Sequence, residues 1–296
     1  NKTAEVGRIR YVIIPDSSAA KAALLSGNID LDYDVLTENI AELKTRKELI
    51  LESAPSMDKQ AILFQTRNSL LKDPRMRRAI ALSLDVPELV SAVTTDTAQA
   101  SRSILSVASG LHKAAQAAVP KRDLVQARRL LAAAGYRGQP IKLLTTKRFD
   151  SLYGIAVMAQ AMAQEAGIRL EIEVLEWATL LDRYNKGDYQ AMAFAFSARL
   201  DPALAFEMIA GDKDKQPRKV WDAPDALDQV ARLSRVTDAQ AYQALLDQLE
   251  AGLRDQVPAV FLYSSVTTSA ARKNVKGYRS WVFGEARLWG VSVTKP

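Results

Sequence analysis

The chain has 296 residues, 48% of them hydrophobic and 25% charged, a length and balance that suit two compact units or one large one with ample core. It has no cysteine and a single histidine, His112, which removes disulfides, thiolate metal sites and cysteine nucleophiles and argues against histidine-rich metal sites and Ser-His-Asp triads. The net charge of +6 is scattered, as on a solvated surface, rather than gathered with stacking aromatics as in a nucleic-acid binder, and no apolar run approaches the roughly 18–20 residues of a membrane span.

The opening residues, Asn1 to Gly7, contain no apolar signal core and read as mature or trimmed material. Arg8 to Pro15 alternates charged and apolar residues and predicts a strand stopped by Pro15. Ser17 or Ser18 caps a predicted helix from Ala19 to Ser26, with Gly27 as its stop, and Ile29 to Asp34 predicts a short strand. Gln60 to Thr66 is a buried-strand pattern. Asp73-Pro74 then sets a helix start, with Met76, Ala79, Ile80, Ser83 and Leu84 inward and Arg75 and Arg78 outward. Asp85 and Pro87 restart a helix through Val93. Residues 94 to 122 lack periodicity and read as a long loop, a length that in compact proteins is functional or wraps a surface.

Asp123 caps the next helix, with Leu124, Ala127, Leu130, Leu131 and Ala134 on one face and Gly135 at its end. Then come a strand from Ile141 to Thr145, a helix from Ser151 to Ala166, and an alternating strand from Ile168 to Leu175 with Ile168, Leu170, Ile172 and Val174 on one face. A helix from Trp177 to Lys186, stopped by Gly187, and a strand from Tyr189 to Phe196 complete a β-α-β-α-β order, which implies a parallel-rich sheet. Asp201-Pro202 caps a helix from Ala203 to Ala210. Helices follow at Asp225 to Arg235 and Asp238 to Arg254, the second with a Leu245, Leu246, Leu249 and Leu253 stripe. Ala259 to Tyr263 is a buried strand, and Thr267 to Arg272 is expected to pair with it. Dinucleotide, phosphate-loop, nucleophile-elbow and zinc-protease motifs are all missing, and Glu171 with Glu173 reads as a solvated strand face.

Several stretches stand in a telling order. Ala23 to Leu31 reads Ala-Leu-Leu-Ser-Gly-Asn-Ile-Asp-Leu. Leu63-Phe64-Gln65-Thr66 is followed by Asp73-Pro74-Arg75-Met76-Arg77-Arg78-Ala79-Ile80 and on to Asp85. Ala127 to Tyr136 reads Ala-Arg-Arg-Leu-Leu-Ala-Ala-Ala-Gly-Tyr, and Glu176-Trp177 leads through Gly187-Asp188-Tyr189 to Asp201-Pro202. Val257 to Tyr263 and Val275-Lys276-Gly277-Tyr278 close the series. Together they resemble the dipeptide/oligopeptide/nickel-binding solute-binding proteins of ABC importers, extracellular solute-binding protein family 5, over nearly the whole chain; family members also carry a long N-terminal region with no counterpart here.

The resemblance implies an α/β, periplasmic-binding-protein-like architecture of two lobes closing around a ligand. Residues 1–59 and 260–296 would form a partial first lobe and residues 60–259 the nearly complete second, with the strands near Leu63 and Phe261 as crossings. The two chain ends, each too short for a core, would pack together. It implies a monomeric, non-enzymatic receptor without cofactor or bound metal, periplasmic or lipid-anchored outside the cell. Its partners would be a peptide or other small solute and the membrane permease of an ABC transporter, not nucleic acid. A ligand-sensing module of a transcription regulator is the alternative, and a hydrolase of small amides a third reading.

In peptide-binding relatives a Glu-Trp helix start and a later Trp-x-x-Asp-Tyr-x-[Asp/Glu]-Pro line the cleft, the Asp pairing with the peptide's α-ammonium. Trp177 matches the first tryptophan, as a cleft wall or as a core anchor. The second motif departs: Phe194-Ala195-Phe196-Ser197-Ala198-Arg199 puts Phe196 at the tryptophan and Ala198 or Arg199 at the Asp. Neither holds an ammonium. Arg199 pointing inward would pair with carboxylate or phosphate; pointing outward it is a loop residue in solvent. The resemblance thus implies a ligand site of Trp177, Phe194, Phe196, Ser197 and Arg199, with Tyr153 and Tyr184 beside it and Arg102 in the long loop as a guess.

Overall fold

The structure, a computed structural model, describes residues 5–113, 117–197 and 199–294. The chain divides into two compact units, residues 1–56 with 265–296 and residues 57–264.

In the first unit α1 (Ser17–Ser26) starts at Asp16, whose side chain accepts from the Ala19 amide at 2.7 Å, and stops at Gly27, where φ is +81°. β1 (Leu31–Asp32) pairs antiparallel with the far end of a long strand, β6 (Ala259–Arg272), through Leu31↔Ala271 and Asp32↔Ala270. Ala270 shares a core with Leu24 and with Ile40 and Leu43 of α2 (Thr37–Lys44), so the two ends of the chain bury each other's apolar side chains. A second small core gathers Ala271, Val275, Tyr278 and Val291 beside the two-residue pair β7 (Val275–Lys276) and β8 (Ser292–Val293).

The second unit is a sheet between two helical layers. Its strands run in the order β6, β2 (Leu49–Phe64), β5 (Ala191–Phe196), β3 (Ile141–Thr145), β4 (Leu170–Val174). β3 pairs parallel with both β4 and β5, while β2 runs antiparallel to β5. Because strand side chains alternate, one face carries Ala61, Leu63, Leu144, Met192, Phe194, Phe196 and Phe261, and the other Ile62, Phe64, Leu143, Ala193 and Leu262. The second face is covered by α3 (Pro74–Ser83), α4 (Val86–Thr94), α5 (Leu124–Ala133) and α6 (Asp150–Glu165). The first is covered by α7 (Trp177–Lys186), α8 (Pro202–Ile209), α9 (Pro224–Leu233) and α10 (Ala239–Gln256). Asp73, Asp85, Asp123, Asp201 and Asp238 all cap the helices that follow them.

Four expectations are corrected. Residues 8–15 form no strand; Ile9, Tyr11, Val12 and Ile13 are exposed, Ile13 at 92%, because among the described residues no neighbouring strand pairs with them. Thr267 to Arg272 does not fold back on Ala259 to Tyr263. Both belong to β6, whose far end pairs instead with β1 through Leu31↔Ala271 and Asp32↔Ala270. Val174 is 44% exposed, at the end of an edge strand, rather than aligned inward with Leu170. β2 is also longer than predicted, and α2 carries no pattern strong enough to have been predicted.

Arg77 is the charged side chain the helix pattern concealed. It is 5% exposed, between the outward Arg75 and Arg78, and its guanidinium donates to the carbonyls of Leu71, Lys72, Gln256 and Val257 at 2.7–3.1 Å. It thereby fastens the start of α3 to the end of α10. Replacing it leaves several buried carbonyls without donors. Arg77→Met is therefore expected to cost about 3 kcal/mol in urea unfolding, and Arg75→Ala, at an exposed pair with Asp73, under about 0.5 kcal/mol.

Candidate functional site

The register of β2 on β5 places Lys59 opposite Phe196. Paired residues of an antiparallel ladder point to the same face, so Lys59 follows the apolar parity of Ala61 and Leu63 although it is charged. Just beyond the ends of these strands lies a hollow. Met57, Phe196, Leu200 and Met208 give it apolar walls; Lys59, Ser106, Ser109, Ser197 and Arg199 give it polar ones. Its free volume of about 10 Å³ is the room one water molecule needs.

The serines come from the long segment after α4, which is not a loose loop. Ala100 bridges to Tyr263, the Ser101 amide donates to the Leu262 carbonyl at 2.7 Å, and Ser103 to Ser106 are buried. Ser103 Oγ donates to Glu250 Oε1 of α10 at 2.6 Å. Glu250 is fully buried, and burial raises its pKa. Lys59 is 3% exposed; its Nζ donates to Ser264 Oγ at 3.5 Å. Burial pushes its ammonium down to about 7, against a smaller upward pull from Glu250. His112, in the same segment, is pushed down by burial and then by Lys59.

Beside the hollow runs a row of rings. Phe149 meets Trp177 edge-on at 5.1 Å, Trp177 stacks on Phe194 at 6.2 Å, Phe194 meets Phe196 at 5.5 Å, and Phe196 meets Phe261 at 6.4 Å. Tyr184 stacks on Phe194 from α7 at 4.4 Å. Trp177, Leu180 and Tyr184 share one face of that helix by their i, i+3, i+7 spacing. Gly187 ends the helix with φ +67°, and any Cβ there would come 2.6 Å from the Pro217 carbonyl oxygen.

Of the residues singled out from sequence, the hollow brings together Phe196, Ser197 and Arg199. Arg199 is exposed, with Nη1 donating to Ser197 Oγ at 3.0 Å; Ala198 lies outside the described residues. Phe194 and Tyr184 are buried in the row behind Phe196, and Trp177 is half-buried. Tyr153 stands apart on α6 with Lys147 Nζ 4.9 Å from its ring centre. Arg102 is half-buried, its pKa lowered to about 10 by burial and then by Arg254. Lys59, Ser106, Ser109 and Phe149 were missed. For Lys59 the signal was parity, a lysine two residues before the Ala61 and Leu63 positions.

A lysine whose pKa is about 7 when folded and 10.5 when unfolded makes stability depend on pH in a definite direction. Between those values the unfolded chain holds the extra proton, so stability rises with pH. Comparing wild type with Lys59→Met cancels other titrating groups. From pH 7 to pH 9, wild-type unfolding free energy in urea is expected to rise by about 2 kcal/mol relative to the variant. Parallel pH profiles would show that Lys59 keeps its proton throughout.

The family model for bacterial extracellular solute-binding proteins, family 5, matches residues 1–216. Among curated proteins, the oligopeptide-binding protein AppA of Bacillus subtilis (strain 168) is 24% identical over 92% of this chain and 53% of its own length. The dipeptide-binding protein of Escherichia coli (strain K12) is 23% identical over 98% of this chain and 56% of its own. The solved structure of HbpA2 from Haemophilus parasuis superposes with a TM-score of 0.85 at 20% identity, covering 99% of this chain and 59% of that one. The chain thus spans about half the length of the curated relatives it matches. With the model matching more than half of its residues and the α/β architecture agreeing, the chain belongs to the family 5 bacterial extracellular solute-binding proteins.

Proposed function

We propose that the protein is the solute-binding component of an ABC importer. It captures a peptide or other small solute outside the cytoplasmic membrane, in the periplasm or anchored by lipid, and hands it to a membrane permease. Residues 1–59 with 260–296 and residues 60–259 act as its two lobes, and the protein works as a monomer without chemistry of its own. Its family membership and the printed names of its relatives, oligopeptide-binding and dipeptide-binding, support a peptide-sized solute. The regulator alternative finds no support in the family match.

The observation that carries the reading is the hollow itself. It is backed by an aromatic ring, Phe196, and lined by serine hydroxyls and two cationic side chains. Such a lining can fix and orient a guest.

Native mass spectrometry of the full chain is expected to show a bound small molecule that leaves on partial unfolding. Phe196→Ala is expected to weaken that solute by about tenfold or more, because the ring is a wall of the hollow. Trp177→Ala is expected to cost less, since Trp177 reaches the hollow only through Phe194. Turnover of the bound molecule, or a Trp177→Ala loss larger than that of Phe196→Ala, would overturn this account.

A further inference from the structure

Lys59, Ser109, Ser197 and Arg199 line the hollow with protons to offer. Lys59 contributes an ammonium with three donors, yet among the described residues it makes one hydrogen bond, the 3.5 Å contact to Ser264 Oγ, and no ion pair. Glu250 attracts it through space without touching it; its Oε1 accepts from Ser103 Oγ at 2.6 Å, and its buried Oε2 has no hydrogen-bond partner among the described residues. Ser109 Oγ accepts from the Leu111 amide at 3.3 Å and Ser197 Oγ accepts from Arg199 Nη1 at 3.0 Å, which leaves both hydroxyl protons to donate. Arg199 can only donate. No Asp or Glu lines the hollow.

We propose that this end of the hollow is a carboxylate subsite, in which an oxygen of a carboxylate-bearing solute lies against the Lys59 ammonium, with Ser109, Ser197 and Arg199 donating around it. This rests on the solute-binding reading above and names the chemical class of its solute. Burial draws Lys59 toward its neutral form, an anion beside it would restore the ammonium, and the hollow supplies the route. Room for about one water admits one oxygen of the carboxylate. The two cations, Lys59 and Arg199, repel an α-ammonium and so disfavour a peptide's free N-terminus here. The walls of Phe196, Leu200 and Met208 fit an apolar segment next to the carboxylate.

The test uses the purified full chain and two matched probes in calorimetric titration. Trialanine amide carries an ammonium and no carboxylate. N-succinyl-trialanine amide carries a carboxylate and no ammonium. The succinylated probe is expected to bind at least about tenfold tighter. Lys59→Met should remove that preference by weakening the succinylated probe, Lys59→Arg should restore part of it, and the exposed Arg199→Gln should cost the succinylated probe only a few-fold. Arg199→Gln also keeps the question open to measurement should Lys59→Met fold poorly.

Equal binding of the two probes, equal weakening of both by Lys59→Met, or no binding of the succinylated probe at millimolar concentration overturns the carboxylate subsite. If a solute without a carboxylate co-purifies in those cases, the solute-binding reading stands and only the subsite falls. If no probe binds and nothing co-purifies, both fall.

Discussion

Six residue pairs, Lys59↔Phe196 through Phe64↔Ala191, tie β2 to β5, and the candidate site follows from that register. Strand side chains repeat every two residues, so a slip by one would turn Lys59, Ala61 and Leu63 to the opposite face and bring Gln60, Ile62 and Phe64 in their place. The burial of Ile62 and Phe64 under α3 to α6, and of Ala61 and Leu63 under α7 to α10, locks the register from both sides. That double lock is what holds a lysine beside a phenylalanine at the mouth of a hollow. Apolar side chains resist the slip that would relieve the buried charge. Stability in the sheet thus pays for chemistry at its end.

Most of the second unit was legible because its signals are local. Aspartates cap five of its helices, and Gly135 and Gly187 stand at the left-handed positions that end two of them. Alternation failed where the partner decides. Residues 8–15 alternate as a strand should and stay exposed, and Val174 has the right parity but sits at a sheet edge. The merging of Ala259 to Tyr263 with Thr267 to Arg272 into β6 depends on β1 pairing with its far end, a contact about 240 residues away along the chain that no window of sequence can contain.

Of the hollow's lining, the stretch from Phe196 to Arg199 was legible in the sequence, and Lys59 with Ser106 and Ser109 was not. Phe196, Ser197 and Arg199 follow one another in the chain, so a single stretch revealed three neighbours in the hollow. Lys59, Ser106 and Ser109 come from two other segments. In sequence a lysine near a strand start is ordinarily a surface residue. Only the pairing with Phe196 and the folding of Ser103 to Ser106 over the sheet end show it to be enclosed. The buried Arg77 illustrates the same limit in a helix. The pattern Arg75-Met76-Arg77-Arg78 offers three arginines, and which one turns inward is settled by the carbonyls at the end of α10, nearly 180 residues on.

Arg77 and Lys59 also show how to separate a structural buried cation from a functional one. Arg77 spends its donors on four main-chain carbonyls, and so its charge is absorbed by groups that the fold itself leaves unpaired. Lys59 has a single long hydrogen bond, and burial draws its pKa to about 7. A purely structural Lys59–Glu250 pair would bring the two groups into contact, because a buried ion pair offsets its desolvation only through close geometry. Here the two do not touch: Glu250 Oε1 accepts from Ser103 and fastens the 103–106 segment over the sheet, while its Oε2 is buried without a hydrogen-bond partner among the described residues. Glu250 Oε1 fastens the wall of the hollow, and the carboxylate subsite proposed above would give the Lys59 donors a partner that the fold does not.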